Sequence, residues 1–221
     1  MLFDDDNNQS PQPVNKSKSV INNNSSVLDY DLPQLTREEI NQMIQELDTC
    51  PLKNAGTRVV MPVGDGSSGI MLIGEAPGAQ EDKMGEPFVG ASGKFLNNIL
   101  LPSVGLSRQN IYLTNIVKCR PPENRDPTDQ EKLAWTPVLI AEIAAMQPNL
   151  IICLGRHSLG FFDPKLKIGQ VHGKVFEVPL FKNYTQKVLA CYHPAVALYN
   201  GGMRETLVQD FAIVQNFLTN S

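Results

Sequence analysis

The chain has 221 residues, 42% hydrophobic and 19% charged, which is enough apolar material for one sizeable core and too little charge for a wholly disordered chain. Nineteen Lys and Arg against 23 Asp and Glu give a net charge of −4, excluding a broad basic field that would draw nucleic acid from a distance; any such contact must be local. No apolar run reaches the ~20 residues of a membrane span and the opening MLFDDDNN lacks a signal-peptide layout, so the expectation is a cytoplasmic protein with no membrane partner, its four cysteines (Cys50, Cys119, Cys153, Cys191) kept reduced.

Residues 1–30 hold six Asn and five Ser without periodicity, a composition that cannot bury enough surface to order itself. The expected organisation is a disordered N-terminal tail over 1–30 and one domain over 31–221. Thr36 and Glu39 have capping-box spacing, and Ile40, Met43, Ile44 and Leu47 share a helical face, predicting a first helix that ends near Cys50 and Pro51. After a Gly-rich turn over 64–69, the run Ile70, Met71, Leu72, Ile73 predicts a buried strand stopping at Gly74. Ser92 is expected to cap a helix carrying Leu96, Ile99 and Leu100, residues 111–115 to form a second strand, and Thr128 with Glu131 to open a long helix. A third strand is predicted over 150–154 and a fourth over 188–192, before a last helix with Leu207, Phe211, Val214 and Phe217 on one stripe.

Strand and helix alternate, and the strands are continuously apolar. That pattern predicts an α/β fold, a three-layer sandwich with a mostly parallel central sheet and helices on both faces. In open sheets of this kind ligands bind at the carboxyl ends of the strands, and Glu75, Asn115 and His193 each stand at or just past one. Taken singly, each has an ordinary alternative as a tight turn, a strand-end cap or a satisfied histidine.

The motifs around these residues form an ordered series. Gly74-Glu75-Ala76-Pro77-Gly78 comes first, then the stretch EDKMGEPFVG from Glu81 to Gly90, then TNIVKCRPP from Thr114, and finally His193-Pro194-Ala195. Over about residues 36 to 218 this series resembles the uracil-DNA glycosylase superfamily, specifically its family 4, the iron-sulfur type. The resemblance implies a DNA repair hydrolase that breaks the N-glycosidic bond of uracil in DNA and leaves an abasic site, acting as a monomer on uracil-containing DNA. It implies that Gly74, Glu75, Ala76, Glu81, Phe88, Asn115 and His193 surround the base, with His193 and Glu75 catalytic.

The residue types suit that chemistry. Uracil presents an N3 donor between two carbonyl acceptors, and the Asn115 carboxamide can pair with N3 and O4 at once. Cytosine reverses the pattern and would leave buried groups unpaired. Phe88 lies in a Gly-bounded loop, where an aromatic face under the flipped base supplies stacking of roughly 1 to 3 kcal/mol. Negative charge develops on the departing base, mostly at O2 and N1. His193 is the candidate donor to O2, its protonation left open, and the backbone amides of Gly74 to Ala76 add donors. In a sister family an Asp stands where this chain has Ala76. The resemblance therefore implies electrostatic stabilisation of a dissociative transition state, with water positioned by backbone or by Glu75. Glu81 is expected either to flank the uracil C5 edge, hindering a thymine methyl, or to be a solvated loop carboxylate.

DNA contact is expected from Lys118, Arg120 and Arg125 beside the pocket, and the resemblance implies an apolar wedge where the base leaves the duplex, with Leu198 as its candidate. The resemblance also implies four cysteine ligands for a four-iron four-sulfur cluster, and here the chain departs from it. The first pair reads Cys50-Pro51-Leu52-Lys53, Cys119 is retained, and the fourth place is Trp135. Cys153 and Cys191 fall within apolar strand runs, as small buried hydrophobes. No cofactor is therefore expected, Cys50 and Cys119 being remnants of the cluster positions. The competing function is a catalytically inactive protein that binds damaged or single-stranded DNA on the same scaffold; Glu75, Phe88, Asn115 and His193, all present, argue against it.

Overall fold

The computed structural model describes residues 34–54 and 57–218; the tail expected over 1–30 lies outside them. In chain order the elements are α1 (Arg37–Glu46), α2 (Pro51–Asn54), β1 (Ile70–Gly74), α3 (Ala79–Met84), α4 (Ala91–Phe95), α5 (Leu101–Ser103), β2 (Tyr112–Asn115), α6 (Asp129–Met146), β3 (Leu150–Leu154), α7 (Arg156–Phe162), α8 (Ile168–Val171), β4 (Val175–Phe181), β5 (Tyr184–Cys191), α9 (Val196–Tyr199) and α10 (Gly202–Ala212).

The strands form one sheet in the order β2-β1-β3-β5-β4. β1 pairs parallel with β2 and β3, and β3 parallel with β5. Every residue of β1 and β3 is buried, as strands covered on both faces must be. Successive side chains go to opposite faces: Met71 and Ile73 join the core built with Ile40 and Ile44 of α1 and Trp135 and Leu139 of α6. Ile70 and Leu72 join the core built with Phe95, Leu100, Leu207 and Phe211. The result is the expected α/β three-layer sandwich.

Both capping boxes form. The Thr36 side chain accepts from the Glu39 N–H and Thr128 from the Glu131 N–H, with each glutamate answering the cap residue's own N–H. Several boundaries differ from expectation. The first helix ends at Glu46, and Pro51 opens a separate turn, α2. The N-cap of α4 is Gly90, so Ser92 lies inside the first turn instead of capping it. A π-turn over Leu96–Leu100 follows and shifts the helical register, which leaves Ile99 47% exposed while Leu100 and Leu101 are buried.

The sequence pattern also missed β4 and the first half of β5. β4 pairs antiparallel with β5 at the edge of the sheet, and the ladder shifts register between Pro179 and Phe181. Pro179 has no N–H for a ladder, and an edge strand with an irregularity is where a proline is tolerated.

Candidate active site

Gly74 pairs in register with Asn115 at the carboxyl ends of β1 and β2, and His193 follows β5 at the same end of the sheet. Between them lies a cavity of about 130 Å³ lined by Ala76, Gly78, Glu81, Phe88, Ser92, Asn115 and His193. A Cβ on Gly74 would stand 2.2 Å from Asn115 Oδ1 and 2.7 Å from the Phe88 ring, so only glycine lets these two side chains close over the strand end. A larger open cleft of about 540 Å³, bordered by 147–149, 184–187 and 216–218, sits at the amino ends of β3 and β5 and holds none of the motif residues.

Phe88 is held in a conformation its residue type disfavours, with φ of 53°. The surrounding contacts enforce it. The carbonyl of Phe88 accepts from Asn97 Nδ2 at 3.1 Å, and Arg108 Nη2 donates to the Pro87 carbonyl at 2.6 Å. Glu81 Oε1 accepts the N–H groups of Val89 and Gly90 at 2.9 and 2.8 Å. Glu81 is thus no solvated loop carboxylate: it belongs to α3, is buried, and fixes the loop that carries Phe88.

The Phe88 and His193 rings stack with centroids 5.7 Å apart. Burial pushes the His193 imidazole down to about 4, against the opposing pull of the Glu81 carboxylate, so the ring is neutral at neutral pH. Its Nδ1 accepts the Ala195 N–H at 3.2 Å. The proton therefore sits on Nε2, and the ring offers one donor. The Asn115 residue is 4% exposed.

A family model described as the uracil DNA glycosylase superfamily matches residues 61–213. The chain is 42% identical over 182 residues to a type-4 uracil-DNA glycosylase of Archaeoglobus fulgidus, covering 79% of this chain and 90% of that protein. Identity to the type-4 enzyme of Saccharolobus solfataricus is 41% over 182 residues, covering 80% and 84%, and to that of Thermotoga maritima 36% over 191 residues, covering 83% and 97%. The chain is a type-4 member of the uracil-DNA glycosylase superfamily.

In this type-4 family member the cavity brings together Ala76, Glu81, Phe88, Asn115 and His193, with Gly74 packed beneath Asn115 and Phe88. Glu75 is the exception. Its carboxylate is absent from the lining and lies 3.7 Å from His157 Nε2. Burial first, then the nearby Asp126 carboxylate, raises its carboxyl to about 7, with Arg156 and Lys132 opposing. Glu75, Asp126 and His157 hold their ligating atoms within 4.8 Å of one another. Arg156 donates to His157 Nε2 at 3.0 Å and ion-pairs with Asp126. Sequence reasoning named neither Asp126 nor His157, which meet Glu75 only through folding, and it missed Ser92 as a lining residue.

Lys118 is a correction. Expected to contact DNA, it is 1% exposed, and its ammonium ion-pairs with the fully buried Glu142 at 2.7 Å. Arg120 Nε donates to Asn124 Oδ1, and Arg125 makes a two-point ion pair with Glu131 at 2.6 and 2.8 Å. Leu198 is 41% exposed on the one-turn helix α9, followed by Tyr199 at 90%, an exposed aromatic that the motif reading passed over.

All four cysteines of the glycosylase family member are free and buried. Cys50, Cys119 and Trp135 share one core cluster with Ile40, Ile44 and Leu52. Burial first, then the neighbouring Cys50, pushes the Cys119 thiol up to about 11. The Lys53 ammonium donates to the Gln45 carbonyl at the end of α1. Among the described residues no helix is long and apolar enough to cross a membrane.

Proposed function

We propose that this protein releases uracil from DNA by hydrolysing the N-glycosidic bond, leaving an abasic site. The observation that carries the reading is the meeting of the Asn115 carboxamide and the neutral Nε2–H of His193 on one cavity floored by Phe88. The flipped base stacks on Phe88. Asn115 accepts from N3–H and donates to O4, a pairing cytosine cannot satisfy. As the bond lengthens, charge collects on the leaving base, and His193 Nε2–H donates to O2, where it stabilises the anion more than the bound substrate. The backbone N–H groups of Gly74 to Ala76 add to that field. Ala76 supplies no base, so water is positioned by backbone groups or by ionised Glu75, its chain neighbour, whose carboxylate lies outside the cavity lining beside His157. Glu81, fixed by two backbone N–H groups, borders the C5 edge and obstructs a thymine methyl.

Arg120, Arg125 and Leu198 belong to the DNA-facing side in this reading. Arg125 contributes less, its charge being shared with Glu131. Action as a monomer belongs to the same reading, and the free thiols suit a cytoplasmic enzyme. The domain responsible is the one expected over 31–221.

The cluster-type cofactor does not fit the residues at its four implied positions. Two are thiols, but Lys53 is an ammonium engaged by a carbonyl and Trp135 an indole buried in the core; neither offers a thiolate. The enzyme accordingly works without iron and sulfide, the corner being closed by packing. Incubation with uracil-containing single and double strands, followed by alkali, tests the function. Strand breaks at uracil positions are expected; DNA that is bound but left intact by excess protein would favour the inactive DNA-binding alternative.

A further inference from the structure

The cation that DNA was expected to meet points the other way. Lys118 uses all three of its N–H donors inside the protein: Nζ donates to Glu142 Oε2, to Thr114 Oγ1 and to the backbone carbonyl of Asn115, each at 2.7 Å. Glu142 Oε1 in turn accepts from Thr114 Oγ1 at 3.0 Å and from the Tyr112 hydroxyl at 3.2 Å. Every member is buried and every charge is paired. Burial lowers the lysine's pKa and Glu142 opposes that shift.

Stability gives no reason for this arrangement. Taking two charges out of water offsets much of what their attraction returns, and apolar residues of similar volume commonly do as well. What the network does locally is hold one peptide group. β2 alternates, so Tyr112 and Thr114 face α6 and Glu142 while Asn115 faces the cavity. Past Asn115 the chain leaves the sheet edge, and its backbone is tacked down by Ile116 N–H to the Gly74 carbonyl at 3.0 Å and Val117 N–H to the Glu75 carbonyl at 3.2 Å. The carbonyl of Asn115 itself faces the other side and has the Lys118 ammonium as its partner. Among the described residues no hydrogen bond is made by the Asn115 carboxamide, so its orientation depends on the backbone that carries it and on the close packing over Gly74.

We propose that Lys118, neutralised by Glu142, is a positioning residue for base recognition: it clamps the Asn115 peptide so that the carboxamide meets the base in one orientation. The proposal rests on Asn115 reading the base. A fixed amide discriminates because the wrong base leaves its groups unpaired; a peptide free to rock would let the amide adapt and blunt that discrimination.

The test removes both charges together, since Lys118→Met alone would strand a buried carboxylate. The Lys118→Met/Glu142→Gln variant is compared with the unaltered protein and with Asn115→Ala in two measurements. The first is the ratio of affinities for duplexes carrying 2′-fluoro-deoxyuridine, whose base is not released, and a tetrahydrofuran abasic site. The second is the ratio of release rates for uracil and cytosine. The double variant is expected to lose the base-dependent part of binding by roughly tenfold and to narrow the uracil-over-cytosine ratio, with abasic-site affinity within about twofold and melting within a few degrees. A merely structural role would move abasic binding and melting instead. If the folded double variant keeps both ratios while Asn115→Ala loses them, Lys118 is no positioning residue. If Asn115→Ala keeps them too, the assignment of Asn115 itself fails. Should the double variant not fold, Thr114→Val, which removes one acceptor and leaves the charges paired, is expected to lower the base-dependent ratio severalfold; an unchanged ratio in that folded variant overturns the proposal.

Discussion

Replacing Trp135 by alanine tests how the corner beside Cys50 and Cys119 is held together. Trp135 is 0% exposed, and a buried indole hides ~150–250 Å², which at ~25 cal/mol per Å² corresponds to ~4–6 kcal/mol. Two corrections lower that figure. Alanine retains part of the apolar area, and among the described residues Trp135 Nε1 has no hydrogen-bond partner, so its removal recovers a desolvation penalty of ~1–3 kcal/mol. The expected loss is ~2–4 kcal/mol, near the lower end of measured Trp-to-Ala changes, and it should lower melting by ~5–15 °C for a domain of this size. Trp135→Phe should cost little, because it keeps most of the volume and drops the unpaired N–H. Thermal unfolding followed by circular dichroism reads the effect, and uracil release measured well below the transition shows whether the pocket is intact. A shift below ~2 °C for Trp135→Ala, or loss of uracil release while the protein is folded, would refute the reasoning.

Four further outcomes follow from the site. His193→Ser removes the donor to O2 and should reduce single-turnover uracil release by roughly a hundredfold or more. Asn115→Asp loses the donor to O4, so uracil release should fall sharply; the protonated acid can complement cytosine, and cytosine release is the second readout. Glu75, with its carboxyl raised to about 7, is protonated below that pH, so release should climb with pH up to about 7 and then level. Glu75→Gln should flatten that profile, and His193, neutral above about 4, should add no inflection between. Protein purified without oxygen should contain no stoichiometric iron or acid-labile sulfide, and near-stoichiometric four-iron content with matching visible absorption would overturn the reading of Lys53 and Trp135.

Much of the fold was legible because its determinants are local. The apolar run from Ile70 to Ile73 forms β1, and the Thr36 and Thr128 capping boxes open α1 and α6, as side-chain spacing alone requires. The motif series likewise puts Glu75, Asn115 and His193 at strand carboxyl ends, since a parallel α/β sheet collects its strand ends on one side; of these, Asn115 and His193 meet with Phe88 on one cavity, and Glu75 does not. β4 escaped because Pro179 contradicts a strand wherever edge position is unknown.

What only the tertiary structure decided depends on partners distant in sequence. Glu81 is fixed by backbone groups eight and nine residues away, and Glu75 turns toward His157 and Asp126 on other segments. His193 is neutral because the folded chain buries it and the Ala195 N–H occupies its Nδ1. Lys118 is the sharpest case. A lysine in a basic stretch beside a pocket can meet a phosphate outside or a carboxylate inside, and its neighbours in sequence are the same either way. Glu142, 24 residues along the chain on another element, settles the choice, because a buried carboxylate and a buried ammonium are each tolerable only in the presence of the other.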